Sequence, residues 1–298
     1  MRRTVQGKAM PQSAAERAAL DAQYNLRAAV PEHLTYFARY EQDSVALRAR
    51  WPGWLDLTYG STPRQAIDLF LPRGATAAPL LVFIHGGYWQ SRDRKDFSFV
   101  AGPWLERGVA VALLGYDLAP EVRMDAIVAQ VRAGLAWLHR QAPAHGCDPA
   151  RLHVAGHSAG GHLAAMALAT DWRAFGLPDD MIKGVCAISG VFDLEPIRLC
   201  HLNEVVGLDA DEAHRNRPLH QPLHSRCPVI VAVGELETRA FHEQSRAFAT
   251  RLEREGWPCQ LLVQPEVDHF AIVMSMADVD APVVQAMARQ MGLGAAPT

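Results

Sequence analysis

A chain of 298 residues, 49% hydrophobic and 20% charged, can build one sizeable α/β domain and is too short for two full ones. A formal net charge of −3 excludes a global field that would hold nucleic acid or an anionic membrane, so the expected partner is a small molecule, with self-association (a homo-oligomer) left open. The five cysteines (Cys147, Cys186, Cys200, Cys227 and Cys259) are odd in number and form no C-x-x-C pair, which argues for reduced thiols in a cytoplasmic protein and against a disulfide framework.

The basic start Met1-Arg2-Arg3 runs into Gln6, Gly7 and Lys8 where a signal peptide needs an apolar stretch. The longest apolar runs, such as Pro79 to Ile84 and Val109 to Leu114, are of strand length and do not span a bilayer. Ser13 with Glu16 three residues later forms a capping box, and helix-forming residues continue to Val30. Pro31 then opens a second helix with Leu34, Phe37 and Tyr40 at helical spacing, ended by Trp51-Pro52-Gly53-Trp54. Residues 1–50 are therefore expected to be a helical arm packed on the main domain, with a lid over the site as the alternative reading.

From residue 51 to 298 the pattern is that of one α/β domain. Leu55, Leu57 and Tyr59 alternate with polar residues, as do Ile67, Leu69 and Leu71, predicting two half-buried strands joined through Gly60-Ser61-Thr62-Pro63. Continuous apolar runs follow at Leu80–Ile84, Val109–Leu114, Leu152–Ala155, Val185–Ile188, Val229–Val233 and Gln260–Val263, as in strands buried on both faces. Helical patterns separate them near 94–107, 124–141, 159–169, 239–255 and 271–291. The alternation predicts a mostly parallel, doubly wound sheet with helices on both faces. Residues 193–226, interrupted by Pro196, Pro218 and Pro222, are the least regular and are expected to supply part of a small cap. The tail from Gly292 reads as frayed.

The chemistry starts at Gly156-His157-Ser158-Ala159-Gly160, a G-x-S-x-G turn between a buried strand and a helix. Its glycines remove Cβ atoms where the two backbones nearly collide, so the serine can sit strained with its hydroxyl exposed. The helix behind it presents free N–H groups and a positive dipole end to a developing negative charge. His85-Gly86-Gly87-Tyr88-Trp89 follows another strand, and a Gly-Gly loop can aim backbone N–H groups inward. Acyl transfer needs such donors about 3 Å from the forming oxyanion. Gly87, Tyr88 and Ala159 are the candidates. A serine also needs a base and the base an orienting acid. His269, the one histidine after His242, is the candidate base. For the acid, Glu237 is preferred over Glu235 because a turn needs several residues to reach back; Asp193 and Asp268 stay open. His157 and His162 are expected to hydrogen-bond within the turn, and His85 to fix the shape of its loop. His201, His214, His220 and His224 show no metal-ligand spacing, so no metal and no cofactor are expected. Arg92, Arg94 and Arg123 are available to hold an amino acid's α-carboxylate, but solvation at the surface is their expected role.

HGGYWQ at His85–Gln90, GHSAGGHL at Gly156–Leu163, SGVFDLEP at Ser189–Pro196 and Asp268-His269-Phe270 together resemble the α/β-hydrolase superfamily. Within it they are similar to the HGG-loop esterases, and most of all to the kynurenine formamidases (arylformamidases). The resemblance runs from about Tyr24 to the last helix. It implies an α/β-hydrolase fold, Ser158 as nucleophile, His269 as base and an acid at Glu237, where that family usually carries aspartate. It further implies cleavage of a small acyl group from an aryl amide or ester, with Tyr88, Trp89 and the arm as an aromatic wall and Trp89 touching substrate. A broad short-chain carboxylesterase is the alternative, and a non-catalytic binding protein on the same fold is a third reading.

Overall fold

The computed structural model describes residues 13–294, so the basic start and the last four residues of the tail lie outside it. An eight-stranded sheet has the order β1-β2-β4-β3-β5-β6-β7-β8. The strands are β1 (Gly53–Thr58), β2 (Ala66–Phe70), β3 (Ala78–Ile84), β4 (Ala110–Leu114), β5 (Cys147–His157), β6 (Ile182–Ile188), β7 (Val229–Gly234) and β8 (Cys259–Gln264). β2 is antiparallel to both neighbours, and every pair from β4 to β8 is parallel. The continuous apolar runs fall in the parallel strands, as covering by helices on both faces demands.

The helices are α1 (Ala14–Tyr24), α2 (Leu26–Ala29), α3 (His33–Arg50), α4 (Gly102–Glu106), α5 (Met124–Gln141), α6 (Ala159–Leu168), α7 (Glu195–Leu199), α8 (Asn203–Val206), α9 (Ala210–Arg215), α10 (Arg239–Arg254), α11 (Ala271–Met274) and α12 (Pro282–Gln290). The Ser13–Glu16 capping box forms at the start of α1. Among the described residues no single helix is long and apolar enough to cross a membrane. All five cysteines are unpaired.

Four expectations change. The strand pair at the sheet edge is not half-buried throughout: β1 is mostly exposed, whereas β2, flanked on both sides, is buried at every position. Asp68, the one charge in β2, is fully buried because Arg94 Nε donates to it at 3.2 Å. Arg94 is therefore a buried partner and not a surface cation, and Asp56 joins the pair from the β1 edge. The predicted helix at 94–107 begins as a 3₁₀ turn, Arg94–Ala101, before α4 takes over at Gly102. The one at 271–291 is broken into α11, a short 3₁₀ segment and α12, since Pro282 has no N–H for an unbroken ladder and suits a first helical position.

Candidate active site

β5 ends at His157 and α6 begins at Ala159, so Ser158 is the single residue of the turn. Its φ is 57°, a left-handed conformation that costs a residue with a Cβ about 1–2 kcal/mol and persists only when the surroundings over-determine it. Two constraints do so. Ser158 N–H donates to Ile188 O on the neighbouring strand at 2.8 Å. A Cβ on Gly156 would lie 2.1 Å from Gly160 O, and one on Gly160 would lie 1.9 Å from Ile84 O, so strand, turn and helix meet only because both residues are glycine.

The HGG loop closes on the same point. A Cβ on Gly86 would sit 3.0 Å from Ser158 Cβ. Gly87 has φ 113° and Tyr88 φ 49°, and neither N–H meets an acceptor among the described residues. Ala159 N–H, in the first turn of α6, has no acceptor within its own helix. Three N–H groups without an acceptor among the described residues thus lie on the two segments that meet at the serine, beside the positive end of a ten-residue helix. His85 shapes this loop: its Nδ1 lies 2.8 Å from Gly86 O, and its ring stacks on Tyr116 with centroids 4.3 Å apart.

Glu237 and His269 lie 32 residues apart in the chain and meet at 2.7 Å, Oε2 to Nδ1. With Nδ1–H donating to the carboxylate, Nε2 keeps its lone pair. The other carboxylate oxygen, Oε1, accepts from Gly234 N–H at 2.7 Å and from Ser189 Oγ at 2.5 Å. Both side chains are all but excluded from solvent, so one face of the carboxylate is fixed by donors and the other by the imidazole. The remaining acids go elsewhere. Glu235 accepts from Glu266 N–H at 3.0 Å, and Asp193 from Glu195 N–H at 3.0 Å. Asp268 Oδ1 caps Phe270 N–H and Ala271 N–H at 2.7 and 2.9 Å.

His157 does not bond within the turn as expected: its Nε2 donates to His269 O at 2.8 Å. Burial, with the His269 ring 4.6 Å away, holds the His157 imidazole well below its usual range, so it stays neutral beneath the second histidine. His162 also reaches outside the turn. It accepts from Trp89 Nε1 at 3.2 Å and donates to Asn216 O at 2.6 Å. That bond corrects the expectation for Trp89. The indole is fully buried and does not line the cavity, because a buried N–H needs a partner and His162 supplies one below the loop.

Ser158, His269, Gly87 and Tyr88 open onto one cavity of about 540 Å³. Its other walls come from the arm (Tyr24, Leu26, Arg27, Phe37 and Tyr40) and from His201, Leu202 and Val205 around α8. Residues 193–226 thus contribute to covering the site, and the arm contributes more. The arm is tied to the loops that carry the polar groups. Tyr40 Oη donates to Phe270 O at 2.6 Å, Tyr36 Oη to Asp268 at 3.1 Å and Tyr88 Oη to Tyr24 O at 2.9 Å. Sequence reasoning missed Ser189 and Tyr40 as site residues, although Ser189 opens the SGVFDLEP motif; Arg92, available for a carboxylate but expected to be solvated, lines the cavity. Among the described residues one group has metal-donor chemistry: Asp21, Cys200 and His201 lie within 4.8 Å of one another. There Asp21 accepts from His201 N–H at 2.7 Å and lies 3.2 Å from Nδ1, which clasps α1 to the segment before α8.

The family model BD-FAE matches residues 67–252. A kynurenine formamidase from Salmo salar is 34% identical over 80% of this chain and 82% of its own length. The chain belongs to the kynurenine formamidase family. A second kynurenine formamidase, from Danio rerio, is 32% identical with the same coverage. A solved structure from Silicibacter sp., described as a candidate thioesterase, superposes with a TM-score of 0.80 at 32% identity, covering 89% of this chain and 97% of that one. The fold is the α/β-hydrolase fold, and the protein is a hydrolase.

Proposed function

We propose that the chain is a serine hydrolase that removes a small acyl group from an aryl amide or ester, with N-formylkynurenine as its substrate. The observation that carries this reading is the 2.7 Å contact of Glu237 with His269, whose ring shares one cavity with a serine held at positive φ. The kynurenine formamidase activity of the relatives from Salmo salar and Danio rerio supports the formyl group and the aryl amine.

In the reaction, Ser158 Oγ attacks the formyl carbon and its proton passes to His269 Nε2. The carbonyl electron pair moves onto oxygen, where the N–H groups of Gly87, Tyr88 and Ala159 receive it. The imidazolium, stabilised by Glu237, gives its proton to the departing aryl nitrogen as the C–N bond breaks. A water then loses its proton to His269 and attacks the formyl-serine, and formate leaves with Ser158 restored. His157 stays neutral throughout, so no second cation opposes the charge on His269.

A side-by-side assay of N-formylkynurenine and p-nitrophenyl acetate tests the substrate, and fluorophosphonate labelling tests the serine. The expected results are efficient formamide cleavage and label on Ser158. Ester turnover with negligible kcat/KM for the formamide would make the protein a short-chain carboxylesterase. An unlabelled, inactive chain would overturn the catalytic reading altogether.

A further inference from the structure

The residue that closes the HGG loop has hydrogen-bonding capacity that the reaction above does not use. Gln90 N–H and Ser91 N–H both donate to Gly87 O at 3.1 Å, and Ser91 Oγ donates to the same oxygen at 3.0 Å. This closed turn carries the Gly87 and Tyr88 N–H groups at one end and Arg92 at the other. Arg92 has φ 76°, and Arg64 Nη1 holds its carbonyl at 3.0 Å. The backbone is thus constrained on both sides of the guanidinium.

The Arg92 side chain is not a solvated surface cation: it is 19% exposed and lines the cavity. Its Cζ lies 3.6 Å over the Phe37 ring. Stacking covers a face of the guanidinium and leaves the N–H groups in its plane available, the geometry that binds a carboxylate with two parallel bonds. Among the described residues none of those N–H groups makes a hydrogen bond. Two carboxylates stand nearby without closing one, Glu41 at 3.5 Å and Asp96 at 3.6 Å. Asp96 already accepts from Asp93 N–H at 3.2 Å as a helix cap, and Glu41 is 61% exposed. Besides tyrosines and the reacting pair, the other ionisable groups lining that cavity are Arg27, His157, His201 and Glu204; burial holds His157 neutral, and Glu204 is paired with Arg17 at 2.8 Å. Among the lining side chains that leaves the guanidinium groups of Arg27 and Arg92, with Glu41 and Asp96 facing Arg92 from outside the lining.

We infer that Arg92 is an anion subsite that receives a carboxylate carried by the leaving portion of the substrate, so the protein selects aryl substrates with an acidic side chain. The inference rests on the hydrolase reading of the cavity and adds a second point of attachment to it. A neutral aryl ester leaves these donors unused; an aryl amino acid fills them.

The test is competitive inhibition of p-nitrophenyl acetate hydrolysis by L-kynurenine and by its α-carboxamide, in the unaltered protein, Arg92→Gln and Arg92→Lys. Calorimetric binding of both compounds to Ser158→Ala gives the same ratio without turnover. A hydrogen-bonded charge pair predicts that the carboxylate binds roughly tenfold or more tightly than the carboxamide. That preference should vanish in Arg92→Gln and persist in part in Arg92→Lys, which keeps the charge but not the fork. Using a ratio within each variant removes any general loss of folding. Equal inhibition by the two compounds, no inhibition by either, or a preference that survives Arg92→Gln would overturn the subsite. Cleavage of N-formylkynurenine is read separately. A preference without formamide cleavage sinks the proposed substrate and leaves the subsite standing; cleavage without preference does the reverse.

Discussion

Around Ser158 the cavity is held by contacts between close neighbours in the sheet: Gly156 against Gly160, and Ser158 N–H on Ile188 O at 2.8 Å. The side built from the arm is held by side chains reaching across the chain, Tyr40 to Phe270 over 230 residues and Tyr36 to Asp268 over 232. The first region is backbone sterics and tolerates almost no extra atom. The second is a set of separate polar anchors on an apolar surface, each removable at modest cost. In the proposed reaction the chemistry belongs where the sheet turns into α6, and substrate selection where the arm packs on it.

The sharpest test of that division is Ser158→Ala. It should cut kcat by about 10⁴-fold or more and leave the unfolding free energy nearly unchanged, since alanine keeps the Cβ and with it the strain at φ 57°. Steady-state rates and urea melts of one preparation read both. Glu237→Gln comes next, with kcat lowered about 10³ to 10⁴-fold because a neutral amide cannot stabilise the His269 imidazolium; an unchanged KM would keep the effect on the sheet side. Gly160→Ala should act on stability, losing about 3 kcal/mol or failing to fold, because its Cβ meets Ile84 O at 1.9 Å.

Acidification probes the same side without mutation. Burial pushes His85 and His162 down to about 4. Unfolded histidines titrate near ~6.5, so between there and about 4 the unfolded chain binds more protons than the folded one. Stability is fully present above that window and falls as the pH drops through it, each group contributing up to about 1.4 kcal/mol per pH unit. Equilibrium unfolding as a function of pH checks this, and His162→Gln should make the slope shallower. The smallest effect belongs to the arm. Tyr40→Phe deletes the 2.6 Å bond to Phe270 O and should cost about 1 to 3 kcal/mol of stability, with KM raised more than kcat is lowered. A large fall in kcat there would erase the contrast between the two regions.

Much of the sheet side is legible from residues alone. The G-x-S-x-G turn, the Gly-Gly loop and the buried apolar runs each encode a local steric or burial requirement, and such requirements leave a short, readable pattern. His269 stands out because it is the one histidine after His242. The preference for Glu237 came from chain reach, but its separation from Glu235 needed the fold. The turn after β7 brings Glu237 Oε1 to Gly234 N–H at 2.7 Å, while Glu235 is drawn to Glu266. The same holds for Trp89 and Arg92, three residues apart on one loop. The aromatic residue turned inward to His162, and the cation turned toward the cavity over Phe37. What the sequence by itself determined was the G-x-S-x-G turn, the sheet and the histidine that follows its last strand, because these follow from local chain patterns. Which side chains face the substrate was decided only in the tertiary structure, because that depends on partners from α1, α3 and α6 that no local pattern specifies.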